Sequence, residues 1–314
     1  MLQKKAERRS TMIDFTHNNH LTYTIGSNQY RTTPIEKYTV ALGAVDPDRY
    51  VCSSYTDELY RTAELVRHNL GNDLVLFLSG GTDSEIVLRN FVHIGFKPRC
   101  VVLRFENDYN IGEVAEAQAI ARELDVRLDI IDFNVHDFYY SGEAKEFGNQ
   151  IQCTQLTYNM VYKSILTLGA PAVMGGEALL TKQVSTTDSY WYYTFRENED
   201  ASAMRFTNKF SVPLVNEWFS YTPELLLYYL EHPGIKELTT STNYKLTSAS
   251  SKNAILKQLY PNFRTKKKIH GFESLLAFNL TAYKDLGHDQ VKRLEFSLDG
   301  IEYEQALAQL RGQQ

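Results

Sequence analysis

The sequence predicts an α/β protein on a doubly wound parallel sheet, with a mostly helical C-terminal region. Three observations carry that expectation. The run "DLVLFL" at 73–78 holds five consecutive apolar residues after Asp73 and is of strand length, which is the pattern of a strand covered on both faces. Strand-like and helix-like stretches then alternate to about residue 180, at the spacing of parallel strands joined by right-handed crossovers. Between the first of these strands and its helix lies "SGGTDS" (79–84), which packs two serines, two glycines and an aspartate into one turn.

The elements follow in order. Residues 13–55 hold short alternating stretches such as "HLTYTIG" and "KYTVALG", punctuated by Gly and Asp-Pro, and read as strands or hairpins. From Thr56, Leu59, Ala63, Val66 and Leu70 recur at helical spacing, and Gly71 stops that helix. After the serine-glycine turn, Ile86, Val87, Leu88, Phe91 and Val92 make one helix face, which Gly95 ends. "RCVVLRF" (99–105) is a second strand, 112–125 a second helix and "RLDIIDF" (127–133) a third strand. A helix over 154–168 and a strand at "PAVMGG" (171–176) complete the alternation. Further on, "DSYWYYTF" (188–195) is aromatic, and its side chains suit a core, a subunit interface or an acceptor pocket. Thr222-Pro223-Glu224 opens a helix: Thr caps it, Pro suits the first turn and Glu favours the positive end of the dipole. Pro233-Gly234 ends it, and another helical segment is expected near 250–260. The implied organisation is an N-terminal extension (1–55), an α/β core (56–185) and a mostly helical, acceptor-side region (186–314) packed on the core.

Composition narrows the class. At 43% hydrophobic and 23% charged residues, the chain can bury a full core. It holds no apolar run of membrane-spanning length, and the basic start "MLQKKAERRS" is not followed by the apolar stretch of a secretory signal. The net charge of −5 argues against a dedicated nucleic-acid partner. Cys52, Cys100 and Cys153 are scattered and odd in number, without metal-site spacing, which fits a reducing cytoplasm.

The turn at 79–84 carries the chemistry. A strand, a glycine-rich turn and a helix N-terminus form an anion site, because the first N–H groups of a helix lack intrahelical partners and its dipole favours negative charge there. Gly80 and Gly81 allow close backbone approach, and Ser79 and Ser84 add hydroxyl donors. Asp83 beside a bare phosphate would be repulsive, so the pattern asks for a divalent cation between carboxylate and phosphate. Mg²⁺ with a polyphosphate, most simply ATP, meets that demand. Neither GxxxxGK[ST] nor GxGxxG is present, which excludes the P-loop and dinucleotide fingerprints.

SGGxDS after a buried strand resembles the PP-loop ATP pyrophosphatases, whose fold is adenine nucleotide α-hydrolase-like. The resemblance implies a loop, Leu78, Ser79, Gly80, Gly81, Thr82, Asp83 and Ser84, that holds the pyrophosphate part of ATP. It implies cleavage between the α- and β-phosphates, transfer of AMP to an acceptor oxygen and displacement of AMP by a nucleophile. The order of the following strand, acidic loop, Ala-rich helix and strand (101–133) is similar to asparagine synthetase and 7-cyano-7-deazaguanine synthase. By that likeness the backbone near Leu103 holds the adenine edge.

Two later stretches resemble the synthetase domain of asparagine synthetase and β-lactam synthetase. "PAVMGGEALL" matches the opening of their Gly-Glu-Gly-x-Asp-Glu turn through Gly176 and Glu177, so Glu177 is expected as metal ligand with Asp83, or as base toward the amine. The family's following Asp is missing, and Asp188 is a distant substitute. "SKNAILKQLYPNFRTKKKIHGFES" (251–274) follows their late basic segment through Lys252, Pro261, Arg264, Lys266 and Gly271-Phe272. One extra residue lets Lys267 or Lys268 take the family lysine's place. Lys266 and Lys268 are the expected catalytic cations, stabilising charge that develops on the α-phosphate.

The expected activity is a Mg²⁺- and ATP-dependent, AMP-forming carbon–nitrogen ligase. It adenylates a carboxylate acceptor and passes the acyl group to ammonia or an amine. The chain opens Met-Leu, and some 70 residues before the core are too few for a glutaminase domain, so ammonia is expected free or from a separate partner. A homo-oligomer is compatible with this reading. Two alternatives stand beside it: a nucleobase- or tRNA-modifying PP-loop enzyme, and a catalytically degenerate ATP-binding module.

Overall fold

A computed structural model describes residues 21–28, 35–151, 153, 156–175, 179–184, 189–194, 202–216, 218–240 and 300–313. Its centre is a five-stranded, all-parallel sheet, as expected. The strands are β3 (Val75–Phe77), β4 (Arg99–Phe105), β5 (Leu128–Phe133), β6 (Ala172–Val173) and β9 (Leu214–Val215), in the order β5-β4-β3-β6-β9. Before them, β1 (Leu21–Asn28) and β2 (Ile35–Leu42) form an antiparallel hairpin. A second, antiparallel sheet joins β7 (Leu179–Val184), β8 (Ser189–Thr194) and β10 (Gly300–Glu302), with β8 in the middle. The aromatic stretch is therefore a strand, paired on both sides.

The burial of β3 explains its uninterrupted apolar run. Leu74, Leu76 and Leu78 pack into one core cluster, while Val75 and Phe77 pack into another. Successive side chains of a strand point to opposite faces, so both faces of the sheet are covered. On the first face lie α2 (Tyr55–Leu70), α3 (Thr82–His93), α4 (Ile111–Glu123), α9 (Pro223–Glu231) and α11 (Tyr303–Leu310). On the second lie α5 (Val135–Tyr140), α6 (Glu143–Ile151), α7 (Leu156–Leu168) and α8 (Ser202–Phe210). No helix among the described residues is long and apolar enough to cross a membrane.

Strand order fixes where a ligand can lie. From β3 the chain runs outward through β4 to β5, then returns to β6 on the other side of β3 and on to β9. The reversal opens a crevice at the carboxyl ends of β3 and β6, the switch point where open α/β sheets bind ligands.

Several local signals act differently from their first reading. Asp46-Pro47, taken as punctuation, starts α1 (Pro47–Cys52): the Asp46 carboxylate accepts from the N–H groups of Asp48 and Arg49, and Pro occupies the first turn. Pro233 does not only end α9; it is the first residue of α10 (Pro233–Thr240). Thr222 caps α9 as expected, accepting from Leu225 N–H at 3.1 Å, and its hydroxyl also donates to Glu58 at 3.2 Å. Glu224 does more than favour a helix dipole. It is 1% exposed, accepts from Asp46 N–H at 2.9 Å and pairs with Arg49, whose Nε lies 3.5 Å from the equally buried Glu58. Two buried carboxylates thus share one arginine and tie α1 and α2 to α9.

That tie yields a stability prediction. Glu224→Gln keeps the shape and an acceptor for Asp46 N–H but removes the charge facing Arg49. Unfolding stability should fall by about 2 kcal/mol, because a buried ion pair is broken from one side. Urea denaturation measures this, and a change below about 0.5 kcal/mol, the level of an ordinary surface substitution, contradicts it.

Candidate functional site

The loop between β3 and α3 stands at the switch point. Leu78 is fully buried and continues the strand, its N–H donating to the Val101 carbonyl at 2.8 Å. Gly80 then takes φ +72°, a backbone region that residues with a Cβ rarely adopt. Gly81, extended at φ −80° and ψ 166°, is the cap of α3 and supplies no side chain to it. Ser79 Oγ accepts from Gly81 N–H at 3.3 Å and lies 3.2 Å from Ser84 Oγ, which donates to the Gly81 carbonyl at 3.2 Å. The two hydroxyls are thereby gathered around one backbone unit. Thr82 and Asp83 are half-buried in the first turn of α3. The other acid of that turn, Glu85, faces inward and holds Arg89 at 2.7 and 2.9 Å.

Neighbouring elements press on this loop through glycines. A Cβ at position 80 would lie 2.6 Å from the Glu113 carbonyl oxygen, 3.0 Å from Glu116 Cβ and 3.1 Å from Ala117 N, so α4 packs directly against the turn. A Cβ at position 175, just past β6, would lie 2.7 Å from Ser84 N and 2.8 Å from the Asp83 carbonyl carbon. Gly175 was not singled out from the sequence. Its signal is the Gly-Gly pair after a strand, where the second glycine drew the attention and the first makes the contact.

Leu103 lies on β4, paired with Ile131 of β5, and its carbonyl accepts from Asn110 Nδ2 at 2.8 Å. Asn110, also missed, precedes α4 and is 3% exposed. Farther along the same end of the sheet, Glu106 accepts from the N–H groups of Val135 and His136 at 2.7 and 2.8 Å and meets His136 Nδ1 at 2.5 Å. Burial opposes ionisation of Glu106, but these donors win and hold its carboxyl below the ordinary range. Cys100, on β4, is buried in the core on the first face of the sheet, where burial pushes its thiol up to about 12 and makes it a poor nucleophile at neutral pH.

The structure therefore brings together Leu78, Ser79, Gly80, Gly81, Thr82, Asp83 and Ser84, with Leu103 on the adjacent strand. Gly176, Glu177, Asp188 and the basic run with Lys266, Lys267 and Lys268 lie outside the described residues.

The glycine contacts give a contrast that can be measured. Gly80→Ala and Gly175→Ala force backbone apart at the loop and should weaken pyrophosphate binding at least about ten-fold, the effect expected when donors shift by a fraction of an ångström. Gly112→Ala, where nothing lies within 4 Å, should bind normally and gain about 0.5–1 kcal/mol of stability from better helix propensity. Equal binding in all three variants, by calorimetry, would show that the close approaches do not shape the site.

No protein-family model matches the sequence, and no curated protein does. The chain is similar to several solved structures. NMN synthetase from Francisella tularensis is 11% identical, with 72% of this chain and 99% of that chain covered and a TM-score of 0.32. NH3-dependent NAD synthetase from Campylobacter jejuni subsp. jejuni NCTC 11168, in complex with the nitrate ion, is 15% identical over 72% of this chain and 100% of that chain, with a TM-score of 0.29. A predicted subunit of a tRNA methyltransferase from Methanocaldococcus jannaschii DSM is 13% identical over 60% and 87%, also with a TM-score of 0.29. At likenesses of this depth, function has to be argued from the chain's own residues.

Proposed function

We propose that the chain is a PP-loop ATP pyrophosphatase that works as an AMP-forming amide ligase. The observation that supports this reading is the cradle at Ser79–Ser84: a positive-φ glycine, an uncapped helix start and two clustered hydroxyls at the carboxyl end of the central strand. A Cβ at position 80 would collide with α4 and push the loop out of this shape, and the donor set suits phosphate oxygens. Asp83, in the first turn of α3, is the carboxylate suited to Mg²⁺. When bound, the ion offsets the phosphate charge that would otherwise repel Asp83.

In this reading the acceptor carboxylate attacks the α-phosphorus of ATP, the α–β bridge bond breaks and pyrophosphate leaves. An amine then attacks the acyl carbon of the acyl-adenylate, AMP departs and the amine loses a proton. Ser79, Gly81 and Ser84 hold the leaving pyrophosphate, and fixing the two substrates in line supplies much of the rate. Glu177 is the proposed base or second metal ligand, and Lys266 or Lys268 the cation at the α-phosphate. The proposed partners are a small-molecule acceptor and ammonia or an amine, the nitrogen arriving free or from a partner protein, in the cytoplasm. Among the described residues, buried Cys100 gives no support to thiolation chemistry.

Product analysis decides the matter. With Mg–ATP and a metabolite extract, AMP and pyrophosphate should form in equal amounts, together with a product equal in mass to two metabolites less one water. Asp83→Ala should lower turnover about 100-fold or more, the usual scale for losing a group that balances transition-state charge. ADP with orthophosphate would refute the reading. A modified nucleobase among the products would favour the nucleic-acid branch, and tight ATP binding without turnover the degenerate module.

A further inference from the structure

Past the end of β3, a side chain closes the edge of β4. Val101 turns its carbonyl toward β3, where Leu78 N–H meets it. Polar groups two and four residues further along a strand point the same way. Leu103 and Phe105 therefore present a carbonyl and an N–H beyond Phe77, the last residue of β3. Asn110 takes both: its Nδ2 donates to the Leu103 carbonyl and its Oδ1 accepts from Phe105 N–H, each at 2.8 Å. Nδ2 also lies 3.3 Å from Glu113 Oε2. Although Asn110 stands at the cap position of α4, its side chain makes no capping bond to that helix. The turn leading to it is strained, because Asn107 and Asp108 are consecutive non-glycine residues at φ 55° and 54°, both exposed.

A carboxamide that offers an N–H and an acceptor oxygen side by side reproduces the edge of an adenine ring, with its exocyclic amine and neighbouring ring nitrogen. Hypoxanthine presents the reverse pattern, acceptor where adenine donates. The β4 pair also sits at the correct place for a nucleotide. Phe77 is level with Val101, so the same register puts Leu103 level with Ser79. Helix α4, whose Glu113–Ala117 turn touches Gly80, starts next to Asn110. One helix thus supports both the phosphate loop and the strand edge.

We propose that Asn110 is a self-ligand of the nucleobase subsite. Its carboxamide occupies the Leu103–Phe105 pair in the empty protein, withdraws on the 107–108 turn when ATP binds, and so sets nucleotide affinity and base selectivity. The proposal rests on the reading of the loop as an ATP site. A site that its own side chain fills binds with an affinity reduced by the fraction of time it is open. Two hydrogen bonds of ordinary net strength make that reduction roughly ten-fold or more.

Calorimetry on the full chain tests it, with Mg–pyrophosphate, Mg–ATP and Mg–ITP titrated into wild type, Asn110→Ala and Asn110→Ser. Pyrophosphate affinity should be the same in all three. ATP should bind the variants roughly ten-fold or more tighter, while ITP should gain little. In wild type, the Asn110 side-chain amide resonances should shift with Mg–ATP and stay in place with Mg–pyrophosphate, a readout that does not depend on the variants folding. Unchanged or weaker ATP binding in folded variants, or undisturbed Asn110 resonances at saturating ATP, overturns the proposal and leaves Asn110 a staple of the strand edge. If wild type binds ATP but not pyrophosphate, the loop reading fails at its root and the proposal falls with it.

Discussion

The site depends on backbone approaching backbone where no Cβ fits. At Gly80 the turn meets α4, and at Gly175 the end of β6 meets the start of α3. These two contacts clamp the strand-turn-helix unit from both sides of the switch point. Without them, the N–H groups at the start of α3 would still exist, but nothing would hold them at a fixed distance from the neighbouring strands. Preorganised donors are effective because they need not reorganise when charge arrives. The double-sided core serves the same end. The strand feeding the loop is buried on both faces, so its carboxyl end has little freedom to move.

The helical part beyond the core is tied in by polar contacts as well as apolar packing. Glu58 and Glu224, both buried, converge on Arg49, and Thr222 bridges to Glu58 while capping α9. Tyr303 of α11 donates to the Leu230 carbonyl at 2.6 Å, and Arg311 pairs with Glu231. Burial pushes the Tyr303 phenol up to about 12, so it remains a donor throughout the neutral range. These links attach α9 and α11 to the face of the sheet that also carries α3, the helix of the loop.

The sheet and its loop were legible in the sequence because their signals are local. "RCVVLRF" is β4 residue for residue, and "RLDIIDF" misses β5 by one. Signals that depend on distant partners were misread or unseen. Asp46-Pro47 and Pro233 carry the chemistry both of a break and of a helix start, and only the packing of α1 and α10 decides between them. Glu224 looked like a dipole partner because Arg49 lies far away in sequence. Strand β9 is two residues long, too short for any periodicity. Gly175 and Asn110 act through contacts to Ser84 and to the β4 edge, which no window of neighbouring residues contains. The 171–176 stretch was expected as strand throughout; among its described residues the strand spans Ala172–Val173, flanked by single backbone bonds that link Pro171 to β3 and Met174 to β9.

The charge pattern explains why the anion site is built from backbone. Along this sheet the arginines are committed to acids: Arg89 to Glu85 and Glu123, Arg99 and Arg127 to Asp129, and Arg104 to Asp132. The exposed pairs at Asp129 and Asp132 add little stability, about 0–1 kcal/mol each, but together with the half-buried Arg89–Glu85 pair they leave those guanidiniums with little pull on a ligand. In a chain of net charge −5, the favourable field for an anion among the described residues at the end of β3 is that of the first turn of α3. That field is short-ranged and directional. On the proposed reading, it favours a ligand whose charge is concentrated at one end and whose remainder is read by hydrogen bonds along β4. A nucleoside polyphosphate has that form, whereas a nucleic-acid backbone, with its charge spread evenly along its length, does not.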